Sequence, residues 1–600
     1  MRFGRISKAV GVAAAAALAL SACAANQGTT DNGSTEGEST GGEVRVVEVN
    51  AFSSFNSQTA NGNVDVNSKI AYATHSGFNY ITDDLKVEPL TDFGTYEKVS
   101  DDPLTVKYTV NEGVNWSDGE PVDADDLMLM WAVNSGHFND ATLDPETGEV
   151  AAGTNYFDYA GDTSGLALTD VPEVGDDGRS ITLEFSEPYA DWEVAFGALS
   201  DGGVNVPAHV VAEKAGLADG DALIKLIQDT PAGDPANPAP AANEELKAVA
   251  DFWNTGFDTK SLPSDASLYL SNGPFIVSAI DPENSMTLVR NEDYNWGPEP
   301  KVDEITVRYI GDAPAQVQAL KNGEVDIIAP QASADTLQQL EAIDGVTINS
   351  GNQISYDHLD LNYTGVFADE KVRTAFMKTV PRQAIIDAIP KKLNPDAAPL
   401  DSQIFLADQT GYEDAAAANG SSEYADVDIE GAKELLAGAT PEIRIMYNKD
   451  NPNRVDAYTL IAQSASEAGF KVVDGGLGKS DWGSALGGGT YDASIFGWIN
   501  SGVGVAGVPQ IFKSGAASNY NGFSSPEADA LMDELILEID KDKQKDLQVQ
   551  IDKLIWDSSY GIPLFQSPGV DAHSDSIGGI DSYMPNQTGV WWNFWEWEVK

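Results

Sequence analysis

One cysteine in 600 residues, Cys23, limits how this chain can be held together. No internal disulfide can form and no multi-cysteine metal site is available, so the fold has to rest on buried apolar surface and hydrogen bonds. Apolar residues make up 42% of the chain and aromatic residues 9%, the composition of a globular protein rather than a disordered one. A single core does not extend over 600 residues, so two or more domains are expected. The five histidines, His75, His137, His209, His358 and His573, lie far apart, and none forms a local pair at metal-ligand spacing. No cofactor is expected.

The charge is strongly one-sided. Lys and Arg number 35 against 94 Asp and Glu, a net charge of −59. Such a surface repels phosphate backbones and anionic headgroups, which argues against nucleic acid as a partner. Most of this acid is read as a solvated surface, as are local pairs such as Asp83-Asp84 and Asp125-Asp126.

The N-terminus reads as an address. Arg2, Arg5 and Lys8 precede an unbroken run of Gly, Ala, Val and Leu from Val10 to Leu20, then Ser21-Ala22-Cys23. The run is about half the ~20 residues a membrane span needs, and the three parts together make a secretory signal over residues 1–22. Leu20-Ser21-Ala22-Cys23 resembles the bacterial lipobox, in which the cysteine thiol receives a diacylglyceryl group. That resemblance implies export and anchoring to the outer face of the cytoplasmic membrane through Cys23, since two or three acyl chains suffice for stable attachment. Residues 23–42 are mostly Asn, Gly, Ser, Thr and Glu and read as a flexible tether.

From Glu43 the pattern changes. Strands are expected at 43–49, 104–110, 180–185, 275–280, 305–309, 443–447, 470–473 and 493–498. Helices are expected at 124–134, 245–253, 314–322, 334–342, 371–380, 382–389, 429–436, 457–468, 526–539 and 542–557. Their alternation indicates an α/β protein. Asp123 should cap the helix at Ala124, with Asp126 returning to the cap's own amide. Residues 229–243 and 395–422 read as surface insertions, and Trp591, Trp595 and Trp597 as one face of a half-buried strand.

Local catalytic motifs fail on context. Gly502-Val503-Gly504-Val505-Ala506-Gly507 satisfies a dinucleotide pattern, but Pro509 follows and the next helix is too short. Gly37-Glu38-Ser39-Thr40-Gly41 has the spacing of a nucleophile elbow but sits in the tether. An exported hydrolase with scattered catalytic groups is the competing class, and a receptor differs from it in releasing its ligand unchanged.

Trp116-Ser117-Asp118-Gly119-Glu120-Pro121-Val122-Asp123-Ala124-Asp125-Asp126 resembles the signature of the family 5 solute-binding proteins, the extracytoplasmic receptors of peptide and nickel ABC importers. Further matches follow in the family's order, among them Asn272-Gly273-Pro274-Phe275, Arg290-Asn291-Glu292-Asp293-Tyr294-Asn295-Trp296, Asn322-Gly323-Glu324-Val325-Asp326 and Asn519-Tyr520-Asn521-Gly522-Phe523. The resemblance implies a class II periplasmic-binding-protein fold of two hinged lobes, with an extra subdomain in the first. Lobe 1 would hold 43–308 and 566–600, with the subdomain at about 80–200, and lobe 2 would hold 309–565. It also implies a monomer without enzymatic activity that closes on a solute and docks on ABC permease subunits.

In peptide-binding relatives the ligand lies between the lobes as an added strand, held by main-chain hydrogen bonds. The matching segments here are Phe52, Ser53, Ser54, Phe55 and Asn56 in the loop after the first strand, and Trp498, Ile499, Asn500 and Ser501 in the second lobe. Trp482 and Tyr520 complete the implied site. Ser501 departs from the pattern, because those relatives place an aspartate there for the ligand's ammonium. No carboxylate lies between Asp492 and Glu527, and Lys479 is the only cation from Asp474 to Ser501. A site without either anchor disfavours short zwitterionic peptides. A longer oligopeptide held through its backbone is the expected ligand, a neutral oligosaccharide the alternative, and a nickel chelate comes last.

Overall fold

The computed structural model describes residues 41–143, 150–499, 502–516 and 518–600. The expected signal, Cys23, most of the tether, Asn500 and Ser501 lie outside the described residues. No described helix is long and apolar enough to cross a membrane.

The central feature is a mixed sheet of ten strands that runs through both halves of the molecule. In chain order these are β1 (Glu43–Glu48), β2 (Phe275–Asp281), β3 (Ser285–Arg290), β4 (Glu304–Tyr309) and β5 (Ile327–Ile328). Then come β6 (Val346–Leu361), β7 (Glu442–Asn448), β8 (Lys471–Leu477), β9 (Ala493–Ile499) and β10 (Gly561–Ser574). Their order across the sheet is β2-β3-β4-β1-β5-β10-β6-β9-β7-β8. β1 runs parallel to β4 and β5, and β7 parallel to β8 and β9. Parallel strands need a crossover: the helix Ala313–Lys321 carries the chain from β4 across β1 to β5, and Pro452–Ala468 carries it from β7 to its neighbour β8.

β6 and β10 join the halves. Val346–Asn352 pairs with Pro568–Ser574 on one side, and Tyr356–Asp360 pairs with Gly561–Gln566 on the other. Between Asn352 and Tyr356 the register shifts. Pro568 has no N–H for the ladder there, so the interruption falls between the two lobes. Neither strand stands out in the sequence, because Asn349-Ser350-Gly351-Asn352-Gln353 and Ser567-Pro568-Gly569 break the alternation.

The cores separate accordingly. Val44, Val46, Ile305 and Val307 share one with Trp591, Phe594 and Trp597, while Leu359, Ile443, Ile495 and Ile562 belong to another. The helices Ala313–Lys321 and Ala334–Glu341, expected in the second lobe, pack instead with Val47 of β1 and with Val570 and Ala572 at the far end of β10. They are drawn there because β5, which they flank, pairs with β1.

The subdomain is a four-stranded sheet of Gly94–Asp101, Leu104–Val110, Ser180–Glu184 and Glu173–Val174, covered by the helix Ala124–Asn134. That helix opens with the expected capping box: Asp123 accepts from the Asp125 N–H, and the Asp123 N–H donates to Asp126 Oδ2 at 3.2 Å. Asp126 is buried and also accepts from Trp116 Nε1 at 3.1 Å and the Ala208 N–H at 2.8 Å. The signature motif is therefore a structural knot that ties a turn to two helix starts.

Two expectations need correction. The C-terminal aromatics form a 3-10 turn, Gly589–Glu596, rather than a strand. Trp591, Phe594 and Trp595 are buried at spacings of three and one, which suits a helical turn and not an alternating strand. Trp591 Nε1 donates to Glu48 Oε1 at 2.8 Å, fastening the C-terminus to β1. Residues 395–422 are no loose insertion either. Asp552, buried in the helix Lys541–Asp557, accepts from Ser402 Oγ (3.1 Å), the Gln403 N–H (2.7 Å) and Asn419 Nδ2 (2.6 Å). Those bonds pin the segment inside the second lobe, with Phe405 and Leu406 buried.

Candidate functional site

A cavity of about 1070 Å³ lies between the lobes. That is at the upper end of the ~300–1,000 Å³ common for small-molecule sites, so a ligand larger than a single amino acid fits. Ser57, Gln58, Tyr159 and Asp201 belong to its first-lobe wall, and Ile354, Gln403, Phe405, Trp498 and Ile499 to its second-lobe wall.

The second-lobe wall is built on β9. Pairing with β6 sets Trp498 opposite Tyr356 and Ile499 opposite Ser355, at the end of the strand nearest the cavity. Ile499 is 58% exposed, an unusual value for a large apolar side chain. Trp498 stacks on Tyr520 (centroids 5.8 Å, planes 10° apart), meets Phe496 edge-on at 5.3 Å and lies parallel to His358 at 6.1 Å. Trp482 packs 6.0 Å from Phe496, with the Arg454 guanidinium 5.9 Å over its ring. Trp498 and Ile499 thus line the cavity, whereas Tyr520 packs on Trp498 and Trp482 on Phe496 without lining it.

The first-lobe segment behaves differently from expectation. Phe52, Ser54, Phe55 and Asn56 are buried, and none of residues 52–56 lines the cavity. Phe52 and Phe55 meet edge to face at 4.8 Å, the Phe55 N–H donates to Phe257 O, and Asn56 Nδ2 donates to Trp253 O at 2.9 Å. Ser53 O accepts from the Thr259 N–H, and the Ser53 N–H donates to Asn67 Oδ1 at 3.0 Å. The main chain here is already bonded within the lobe, because the two phenylalanines seek its core. Ser57 and Gln58, the next two residues, reach the cavity instead.

Where the lobes touch, the glycine-rich loop set aside as a nucleotide motif has an anion of its own. Asp191, from the first lobe, accepts from the Val505 and Ala506 N–H groups, each at 2.9 Å. Gly504 has φ +81°, and a Cβ there would stand 2.6 Å from Asp191 Oδ2. Successive amides in such a loop make an anion-binding concavity, and here a carboxylate of the same chain fills it. Burial pushes the Asp191 carboxyl above its ordinary range while the two amides oppose that shift. The Ala190 N–H donates to Ile536 O at 2.8 Å beside it, so two consecutive residues bridge the cleft. The partners lie more than 300 residues apart, and no local motif marks them.

Charge is unevenly distributed around the cavity. Among the described lining residues seven are aspartates and three are lysines. Lys69 is paired with Glu48 at 2.8 Å and Lys545 with Asp414 at 3.1 Å.

Known proteins share this architecture. The periplasmic EDTA-binding protein EppA superposes with a TM-score of 0.77 at 22% identity, covering 94% of this chain and 97% of that one. The oligopeptide-binding protein AppA from Bacillus subtilis, solved with a nonapeptide, gives 0.66 at 17% identity over 94% and 100% of the two chains. These likenesses establish the two-lobe periplasmic-binding fold. In sequence the chain is 26% identical over 499 residues to the oligopeptide-binding protein OppA of Mycobacterium tuberculosis, covering 81% of this chain and 73% of that protein. It is 25% identical over 560 residues to an uncharacterized lipoprotein of the same species, covering 92% of each. The model for the bacterial extracellular solute-binding proteins, family 5 middle, matches residues 88–520, well over half of the chain. Signature motif, fold and inter-lobe cavity therefore agree: this chain belongs to the family 5 bacterial extracellular solute-binding proteins.

Proposed function

We propose that this protein is the substrate-binding lipoprotein of an ABC importer, which encloses an oligopeptide between its lobes and hands it unchanged to membrane permease subunits. The observation that carries this reading is the cavity, large enough for several residues and walled by Trp498 near the end of β9. Relatives named for oligopeptide binding support it. Ligand would stabilise the closed form only through contacts made to both lobes at once, because affinity shared by open and closed states shifts nothing. In the same reading Cys23 carries the acyl anchor, residues 24–42 are the leash, and the receptor works as a monomer.

Ser501 distinguishes this site from relatives that hold the ligand's ammonium with a lobe-2 aspartate. The Trp498–Tyr520 stack also suits a sugar face, which keeps a neutral oligosaccharide as the second reading. An anionic chelate is disfavoured by the excess of carboxylates around the cavity.

The deciding experiment is a soluble form beginning at Ala24, purified and analysed by native mass spectrometry for co-purifying solute, followed by calorimetry. Peptides in the bound fraction, and calorimetric binding of peptides recovered with their masses unchanged, are the expected result. Release of shortened peptides would identify a hydrolase, and exclusive capture of oligosaccharides would establish the second reading.

A further inference from the structure

Resting on the reading that the inter-lobe cavity holds the transported solute, we propose that Asp201 is a ligand-recognition residue that selects solutes carrying a positively charged group, an ammonium or a guanidinium.

Asp201 ends a short 3-10 turn, Leu199–Asp201, whose backbone is fixed on every side. Leu199 is buried, the Asp201 N–H donates to Ala198 O, and Gln58 Nε2 donates to Asp201 O at 3.0 Å. Gly202 then turns the chain away with φ +96°. The carboxylate lines the cavity and is accessible from it, with protein packed around it on its other sides. Among the described residues no donor reaches its oxygens within hydrogen-bond distance.

Asp201 shares this lack of a donor with Asp542, which sits in the first turn of the helix Lys541–Asp557, where the helix dipole favours an acid; the other five carboxylates of the cavity wall have partners. Asp191 has two amides, Asp84 has Lys86 at 2.6 Å, Asp65 accepts from Asn50 Nδ2 at 2.8 Å, Asp162 accepts from Ser164 Oγ at 2.7 Å, and Asp408 accepts from Asn352 Nδ2 at 3.2 Å. Burial raises the Asp201 carboxyl to about 6, with no opposing hydrogen bond or cation. Asp201 is exposed to the cavity, so a ligand that displaces its water leaves the carboxylate without a counter-charge unless that ligand is cationic. Tyr159 and Tyr189 also line this side of the cavity. The sequence carries no aspartate at position 501, and Asp201 supplies a carboxylate on the first-lobe wall of the cavity.

Calorimetry with the soluble form tests this with four probes: an acetylated, amidated penta-alanine; the same peptide with a free amino terminus; the acetylated peptide with a central lysine; and arginine amide as a cation that is not a peptide chain. Expected is at least tenfold tighter binding of one cationic peptide over the neutral one, lost in both Asp201→Asn and Asp201→Ser with unchanged melting temperature. Which of the two peptides gains shows whether the cation is a terminus or a side chain. Equal binding of neutral and cationic peptides, or a preference that survives both substitutions, overturns the assignment of Asp201 while leaving the peptide reading intact. Failure of all peptides together with Asp201-dependent binding of arginine amide upholds Asp201 and refutes the peptide reading. No binding of any cationic probe overturns the proposal.

Discussion

At the scale of single residues, the site depends on a few side chains whose neighbours leave them little freedom. Trp498 is held by Tyr520, Phe496 and His358, so its ring is presented to the cavity in one orientation and little entropy is lost when a ligand packs on it. Trp498→Ala should weaken ligand binding by about ten- to a hundredfold, the range of an anchoring aromatic, and calorimetry against the native ligand measures it. The sequence pointed to Trp498 and Ile499 through the family resemblance. It pointed equally to Phe52–Asn56, which the lobe core claims, because a Phe-Ser-Ser-Phe loop reads the same whether its rings face a ligand or a core. Ser501 itself remains a matter of sequence: Ser501→Asp should improve binding of peptides with a free amino terminus over acetylated ones, and an unchanged ratio in calorimetry would count against that placement of the terminus.

At the scale of elements, the bridge between the loop Gly502–Ala506 and Asp191 joins the two lobes beside the cavity. Asp191→Asn keeps the shape but replaces a charged acceptor of two amides with a neutral one. Charge-assisted bonds are roughly twice as strong as neutral ones, so closure should weaken. Ligand-saturated Asp191→Asn should show a larger radius of gyration by small-angle scattering than the saturated native protein, together with a several-fold loss of affinity. An identical envelope in both would remove the latch role. Gly504→Ala attacks the same contact from the other side, through an unfavourable φ and a Cβ aimed at the carboxylate, and should give the same phenotype. Most helices and strands were legible: Ala124–Asn134 and Ile429–Leu436 match their expected bounds. β6 and β10 were not, since strands that cross between lobes meet no constant environment and keep no constant pattern.

For the molecule as a whole, acidity sets the response to pH. Burial raises the carboxyls of Asp552 to about 6 and of Asp571 to about 7. Above their ordinary range and below these values the folded chain keeps protons that the unfolded chain releases. Unfolding free energy therefore falls as pH rises through roughly 4 to 7 and levels off above that window. The net charge of −59 acts in the same direction, since protonation relieves self-repulsion. The melting temperature should be higher at pH 5.5 than at pH 7.5, and calorimetric scans at constant ionic strength measure this. A melting temperature that rose from pH 5.5 to 7.5 would mean that these carboxyls are ionised in the folded protein.

The amino-acid sequence by itself determined the α/β alternation, the capping box at Asp123, the family signature and the acidic character, because each follows from neighbours within a few residues or from composition. Only the tertiary structure decided that residues 313–341 pack with β1, that the Phe52–Asn56 loop turns inward, and that Asp191 meets the Gly504 loop while Asp201 meets none. Those outcomes depend on which surfaces hundreds of residues apart come into contact, and competition for buried space is not written in any local pattern.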